Sequence, residues 1–81
     1  MIPPSPSERF PAALRALRKE RRLSQEALAE RAGLHRNAIS FLERGINKPT
    51  IDTMEQLASA LDISFMALCE RFAGAISDKS S

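Results

Sequence analysis

Residues 24–44, SQEALAERAGLHRNAISFLER, decide the fold of this chain, because they predict two short helices separated by a tight turn. Ser24 is a favoured N-cap residue and precedes a run of helix-forming residues. Gly33 most easily adopts the left-handed conformation in which such a helix ends. The second helix is predicted from about residue 35 or 36 to residue 44, where Gly45 supplies the next stop.

The second predicted helix has two different sides on a wheel at about 100° per residue. Its apolar side must pack against the rest of the domain and consists of Ala38, Ile39 and Leu42, with Glu43 at the border. Its other side is predicted to face solvent and consists of Arg36, Asn37, Ser40, Phe41 and Arg44. Guanidinium and amide groups suit hydrogen bonding to base edges in a major groove, so this side is a candidate DNA-reading surface.

Length and composition restrict the class of protein. The 81 residues allow one small core, and no apolar run approaches the ~18 residues that a membrane span needs. Nothing resembles a signal peptide, so we expect a cytoplasmic, nucleoid-associated protein without a membrane partner. With only one cysteine and one histidine, neither a metal site, a cofactor nor enzymatic activity is predicted.

The net charge of +2 is unevenly distributed. Residues 15–48 carry nine basic and four acidic side chains, whereas residues 49–81 carry two basic and five acidic ones. This asymmetry would turn the basic half toward phosphates. A solvated face without a partner is the alternative, and the backbone dipole at the end of helix 1 explains part of the basic cluster.

Two start sites compete for helix 1. Ser5, Pro6 and Glu8 form a capping-box pattern, but that start would place Pro11 inside the helix, where proline clashes with the preceding turn. A start at Ser7 puts Pro11 nearer the first turn, so we predict Ser7 as the N-cap. Residues 1–6 are then a flexible N-terminal arm, residues 7–74 the folded domain and residues 75–81 a polar tail.

The last two helices are predicted to begin at hydroxyl caps, Thr50 for helix 4 and Ser64 for helix 5. Helix 5 is predicted from Phe65 to about Phe72 and is apolar on more than one side. A small core cannot bury all of these apolar side chains. Such an excess usually marks an interface. The candidate dimer residues are Phe65, Met66, Leu68, Cys69 and Phe72. For Cys69, burial as a small hydrophobic side chain is favoured over a redox role.

The combined pattern resembles the helix-turn-helix of the phage repressor and Cro family, known as the Xre family. The matching residues span roughly residues 15–68 and are Ser24, Gln25, Glu26, Ala29, Gly33, Ile39, Leu42, Glu43, Arg44, Gly45, Pro49 and Thr50. The resemblance implies an all-α, compact five-helix bundle of the lambda-repressor type. Helices 2 and 3 would form the helix-turn-helix.

The family also implies roles for particular residues. Arg18 and Glu43 would form a structural ion pair, with a solvent-facing Glu43 as the alternative. Gln25 would anchor the DNA backbone at the exposed first turn of helix 2. Asn47 and Lys48 would contact phosphates from the loop before helix 4, unless this loop is a mere surface turn.

The function expected from these residues is sequence-specific regulation of transcription by a homodimer on a palindromic operator, with two recognition helices about 34 Å apart. The expected base contacts are Arg36 and Asn37, to guanine and adenine. Ser40 and Arg44 are second choices, since either could reach a base or a phosphate. The expected phosphate contacts are Gln25, His35, Asn47 and Lys48. His35 alternatively caps the recognition helix. Phe41 either touches a thymine methyl group or packs on the helix 3–4 loop, and we favour the second.

Within the family, the length and plan are most similar to the short controller proteins of restriction-modification systems. The alternative function is that of an antitoxin, which would bind a toxin protein through the apolar C-terminal helix and regulate its own operon. A toxin and RNA polymerase are therefore further candidate partners besides DNA and a second copy of the chain.

Overall fold

The computed structural model describes Ile2 and residues 5–73. Regular secondary structure in that part of the chain is entirely helical, which confirms the predicted fold class. The helices are α1 (Pro6–Glu20), α2 (Gln25–Ala32), α3 (Ala38–Glu43), α4 (Ile51–Ala60) and α5 (Phe65–Ala73). None of them has the length and apolar character that a membrane crossing requires. The predicted tail, residues 75–81, and residues 1, 3 and 4 of the predicted arm lie outside the described residues.

One hydrophobic core lies between the helices. α1 contacts α3 and α5, α2 contacts α3 and α4, and α4 contacts α5. The largest fully buried side chains come from every helix or its cap and are Phe10, Leu14, Leu17, Leu28, Ile39, Leu57, Leu61 and Leu68. Burying each such side chain contributes roughly 1.5–3 kcal/mol. Because α3 packs on both α1 and α2, its rotation about its own axis is fixed by the core.

Four of the helices end in the same way, with one residue in the left-handed conformation followed by a hydrophobic residue. The left-handed residues are Arg22, Gly33, Gly45 and Asp62, with φ between 59° and 74°. The next residue in each case donates its N–H to a carbonyl five residues back, as in a Schellman motif. These next residues are Leu23, Leu34, Ile46 and Ile63. Three of them pack against the core, whereas Ile46, after α3, is 59% exposed.

The predicted start of α1 at Ser7 is wrong, because the helix begins at Pro6 with Ser5 as its N-cap. The Ser5 N–H donates to Oε1 of Glu8 at 2.9 Å, and Pro6 occupies the first helical position, where a missing N–H costs nothing. Pro11 does lie inside the helix. A Cβ atom placed on Gly45 would lie 3.7 Å from Cγ of Pro11, so the proline ring packs beside the end of α3.

α5 is fastened to α1 near its C-terminal end. The Arg9 guanidinium donates to the carbonyl oxygens of Phe72 and Ala73 at 2.6 and 3.1 Å, which satisfies acceptors that a helix end leaves free. The rings of Phe10 and Phe72 meet edge to face, with centroids 5.1 Å apart. These contacts turn one side of α5 inward.

The orientation of α5 shows that the predicted dimer interface is wrong at one residue, Leu68. Leu68 has no exposed surface, because it lies in the core between the helices, so it cannot contact a second copy. Phe72 is partly buried against the same core. Met66 is 65% exposed, and Phe65 and Cys69 are half-buried. The outward apolar side of α5 is therefore smaller than the sequence predicted.

Candidate nucleic-acid interface

α3 separates an inward apolar side from an outward polar one. Ile39 is fully buried and Leu42 is 4% exposed. On the outward side, Arg36, Asn37 and Arg44 are exposed, and Ser40 and Phe41 are half-buried. The apolar side of α3 is buried in the core, so the groups on the outward side are accessible to a partner.

α3 is shorter than predicted at its N-terminal end, since Arg36 and Asn37 lie in the turn that precedes Ala38. The Ala38 N–H donates to the His35 carbonyl at 2.8 Å, and the Asn37 N–H donates to Nδ1 of His35 at 3.1 Å. These two bonds replace the first helical turn by a tighter one. His35 thus caps the entrance to α3 with one ring nitrogen, and its Nε2 is not used in that cap.

The buried carboxylate of Glu43 joins three helices. The Arg18 guanidinium donates from Nε to Oε2 at 2.6 Å and from Nη2 to Oε1 at 3.1 Å. Arg18 also donates from Nη1 to the Leu23 carbonyl at 2.8 Å. Arg15, whose side chain is half exposed, lies at 3.5 Å from Oε1 of the same carboxylate. The expected Arg18–Glu43 pair is thus formed, and it ties the end of α3 to α1 and to the turn before α2.

These donors decide the charge state of Glu43. Burial raises the pKa of the Glu43 carboxyl and is the largest single influence on it. The hydrogen bonds from Arg18, Gln25 and Arg15, together with the Arg18 charge, outweigh burial, so the pKa lies below its usual value. Glu43 is therefore ionised at neutral pH and acts as a fixed acceptor.

Gln25 has a partner inside the protein that the sequence did not indicate. Its Nε2 donates to Oε1 of Glu43 at 3.0 Å. A carboxylate can only accept, so the amide nitrogen must be the atom that faces Glu43. One of the two amide hydrogens is used in this way, and the other remains for a second acceptor.

The loop between α3 and α4 begins at Gly45, with φ of 74°, and presents polar residues to solvent. Asn47 and Lys48 are exposed. Thr50 caps α4 by accepting the Thr53 N–H at 3.0 Å. The loop therefore follows α3 directly, and Lys48 adds a cation next to the outward side of that helix.

Comparisons with known proteins agree with this geometry. The helix-turn-helix family HTH_3 matches residues 14–68. The chain belongs to this helix-turn-helix family. It is 42% identical over 55 residues to the immunity repressor protein of Bacillus phage phi105, a match that covers 68% of this chain and 38% of the repressor. It is 43% identical over 58 residues to control protein C.SmaI of Serratia marcescens, which covers 72% of this chain and 69% of that protein.

Among solved structures, the restriction-modification controller protein C.AhdI from Aeromonas hydrophila is similar with a TM-score of 0.71 and 40% identity. The match covers 74% of this chain and 91% of that chain. The family resemblance predicted from sequence is therefore confirmed. It places the chain among helix-turn-helix proteins.

α2 and α3 form the helix-turn-helix. Of the eight expected DNA-contact residues, Gln25 and Ser40 are half-buried and the other six are exposed, namely His35, Arg36, Asn37, Arg44, Asn47 and Lys48. Two features were not predicted. The Arg44 guanidinium carbon lies 5.6 Å from the centre of the Phe41 ring, and Arg71 pairs with Glu20 through two hydrogen bonds of 2.6 and 3.2 Å. The three-residue spacing of Phe41 and Arg44 indicates the first contact. No local pattern indicates the second, which joins residues 51 positions apart.

Proposed function

We propose that this helix-turn-helix protein is a transcriptional regulator that binds double-stranded DNA sequence-specifically, as a homodimer on a palindromic operator, in the cytoplasm at the nucleoid. One observation carries the proposal. α3 buries Ile39 and Leu42 completely or nearly so, while Arg36, Asn37 and Arg44 stand exposed on its other side. A short helix held in this way presents hydrogen-bonding groups to a groove, with the half-buried Phe41 beside them.

The base contacts are assigned to Arg36 and Asn37 first, and to Ser40 and Arg44 second. Arg36 offers a planar fork that matches O6 and N7 of guanine, and Asn37 an amide that matches N6 and N7 of adenine. Both precede the first residue of α3, in the turn that His35 stabilises. Their position at the entrance of the helix is where recognition helices commonly contact base edges.

The phosphate contacts are assigned to Gln25, His35, Asn47 and Lys48. Gln25 would use its second amide hydrogen, since the first is bonded to Glu43. His35 would use Nε2, because Nδ1 accepts the Asn37 N–H. Asn47 and Lys48 would act from the loop after α3. These contacts would fix the register of α3 in the groove without reading sequence.

The homodimer is assigned to the outward side of α5. Met66 is exposed there, with Phe65 and Cys69 half-buried beside it and Phe72 at the margin. Fastening of α5 to α1 keeps this side rigid, which suits a twofold contact that must hold two recognition helices about 34 Å apart. Leu68 contributes to the fold alone.

The DNA assignment is tested by selecting bound sequences from a random double-stranded library and then comparing two variants. Arg36→Ala should cost about 1–3 kcal/mol on the selected operator with little effect on random DNA. Lys48→Ala, the matched control, should weaken binding to both alike and reduce the salt slope by about 1. An operator preference that survives Arg36→Ala would remove the assignment of that residue.

The dimer is tested by sedimentation at tens of micromolar protein. Met66→Glu places a charge at an exposed position, so it should dissociate the dimer without unfolding the domain. Gln56→Glu, exposed on α4 beside Arg31 and Ala32 of α2, is the control and should leave the dimer intact. A folded wild-type monomer at these concentrations would refute the α5 assignment.

A further inference from the structure

Phe41 and Arg44 form a stacked pair on the outward side of α3. The Arg44 guanidinium carbon is 5.6 Å from the ring centre, within the ~6 Å at which a cation is attracted to an aromatic face. Phe41 is half-buried and Arg44 is exposed, so the ring supports the guanidinium from the protein side. The pair lies at the end of α3 opposite to Arg36.

The backbone of Phe41 is held at both its N–H and its carbonyl, and its side chain is half-buried. Its N–H donates to the Asn37 carbonyl at 3.1 Å, and its carbonyl accepts the N–H of Ile46 at 2.9 Å. The second bond belongs to the Schellman motif that ends α3 at Gly45. The hydrogen bonds that terminate the helix therefore fix the backbone from which the Phe41 side chain extends.

A cation–π contact pairs no guanidinium N–H with an oxygen or nitrogen acceptor, so these donors remain available to a partner. Other arginines of the described part are engaged with carboxylates, namely Arg15, Arg18 and Arg71. Arg44 makes no ion pair within residues 5–73. It is thus an oriented cation with unused donors.

We infer that Phe41 is a positioning residue that holds Arg44 for bidentate hydrogen bonding to a guanine. The inference rests on the proposed function and deepens it, since it names the base that Arg44 reads and the residue that positions Arg44. A phosphate contact requires mainly charge, whereas a contact to O6 and N7 of guanine requires two donors in one plane. If the ring limits the rotamers of Arg44 before binding, less conformational entropy is lost when the guanidinium bonds to guanine. This gain favours the guanine contact, because that contact depends on orientation.

The test measures the affinity of wild type, Phe41→Leu and Phe41→Tyr for the selected operator and for random DNA. Phe41→Leu keeps the apolar volume and removes the ring, so it should weaken operator binding about two- to five-fold for each recognition helix. Random DNA binding and the salt slope should stay unchanged, because no charge is lost. Phe41→Tyr keeps the ring and should bind as wild type does.

A second background separates positioning from a structural effect. In Arg44→Ala the ring has no cation to place, so adding Phe41→Leu should cost no further operator affinity. Circular dichroism and urea midpoints establish that each variant is folded, and Phe41→Met replaces Phe41→Leu if the leucine variant is not. Equal losses on operator and random DNA, or a further loss in the Arg44→Ala background, would overturn the inference. A wild-type protein that selects no sequence would instead overturn the proposed function.

Discussion

Two arginine–glutamate pairs join helices of this domain with nearly the same local geometry and in different surroundings. The shortest N–O distance is 2.6 Å in both Arg18–Glu43 and Arg71–Glu20. In each pair, both carboxylate oxygens accept from the guanidinium. The Glu43 side chain has no exposed surface, whereas that of Glu20 is 55% exposed. The first pair fixes α3 and the second fixes α5.

The difference shows that distance alone does not rank ion pairs. At the surface, water replaces a lost partner and salt screens the attraction, so such a pair contributes little. In the interior, removal of one partner leaves the other charge without solvent, which costs far more than the intact pair contributes. The orientation of the candidate DNA-reading helix therefore depends on Glu43 much more than the position of α5 depends on Glu20.

The largest expected effect comes from Glu43→Gln. The substitution keeps the side-chain volume but places an amide against Arg18, Gln25 and Arg15, and we expect a loss of about 3–5 kcal/mol in the free energy of unfolding. Urea unfolding measures it. Since a small domain has only about 5–15 kcal/mol of stability in total, the variant should be unfolded in part at 37 °C. A urea midpoint of Glu43→Gln near that of wild type would show that the domain does not need the buried ion pair for its stability.

An intermediate effect on stability is expected from lowering the pH. The folded-state pKa of Glu43 lies below its unfolded value of about 4.3, so the unfolded state binds more protons in this range. The stability that Glu43 contributes is complete above about pH 5 and is lost as the pH falls through the folded-state pKa. Thermal midpoints from pH 3 to 7 should fall less steeply toward acid in Glu43→Gln than in wild type. Parallel curves would contradict the assignment of this dependence to Glu43.

The smallest effect is expected from Glu20→Gln, the matched substitution in the exposed pair. Hydrogen bonds from Arg71 lower the pKa of the Glu20 carboxyl, but both side chains remain in contact with water. The urea midpoint should shift only slightly, and the shift should vanish in 1 M salt, where the screening length is about 3 Å. The shift caused by Glu43→Gln should persist at the same salt concentration. If both shifts vanish in salt, the two pairs do not differ as proposed.

The sequence was sufficient for several features that depend on a few neighbouring residues. Gly33 and Gly45 mark the ends of α2 and α3, because each must adopt a positive φ. Ser24, Thr50 and Ser64 cap the helices that follow them, each accepting an N–H three residues ahead at 3.0 Å. The wheel of α3 likewise separated its buried from its exposed side.

The sequence was insufficient where a distant element decides between two local possibilities. Ser5 and Ser7 both suit an N-cap, and the start at Ser5 leaves Pro11 inside the helix, with its ring beside Gly45. Leu68 suits a core or an interface equally well, and only the packing of α5 on α1 turns it inward. The sequence does not indicate the bond from Gln25 to Glu43, because the two residues are 18 positions apart.

The sequence by itself thus determined that residues 5–73 form five helices, where most of them begin and end, and which side of α3 is apolar. Hydrogen bonding within a turn and the hydrophobic period of a helix are encoded within a few consecutive residues. The tertiary structure alone decided which polar groups are already bonded to each other and which remain exposed. That distinction depends on how the helices are rotated against one another, since rotation sets whether Glu43 meets Arg18 and Gln25 or meets water.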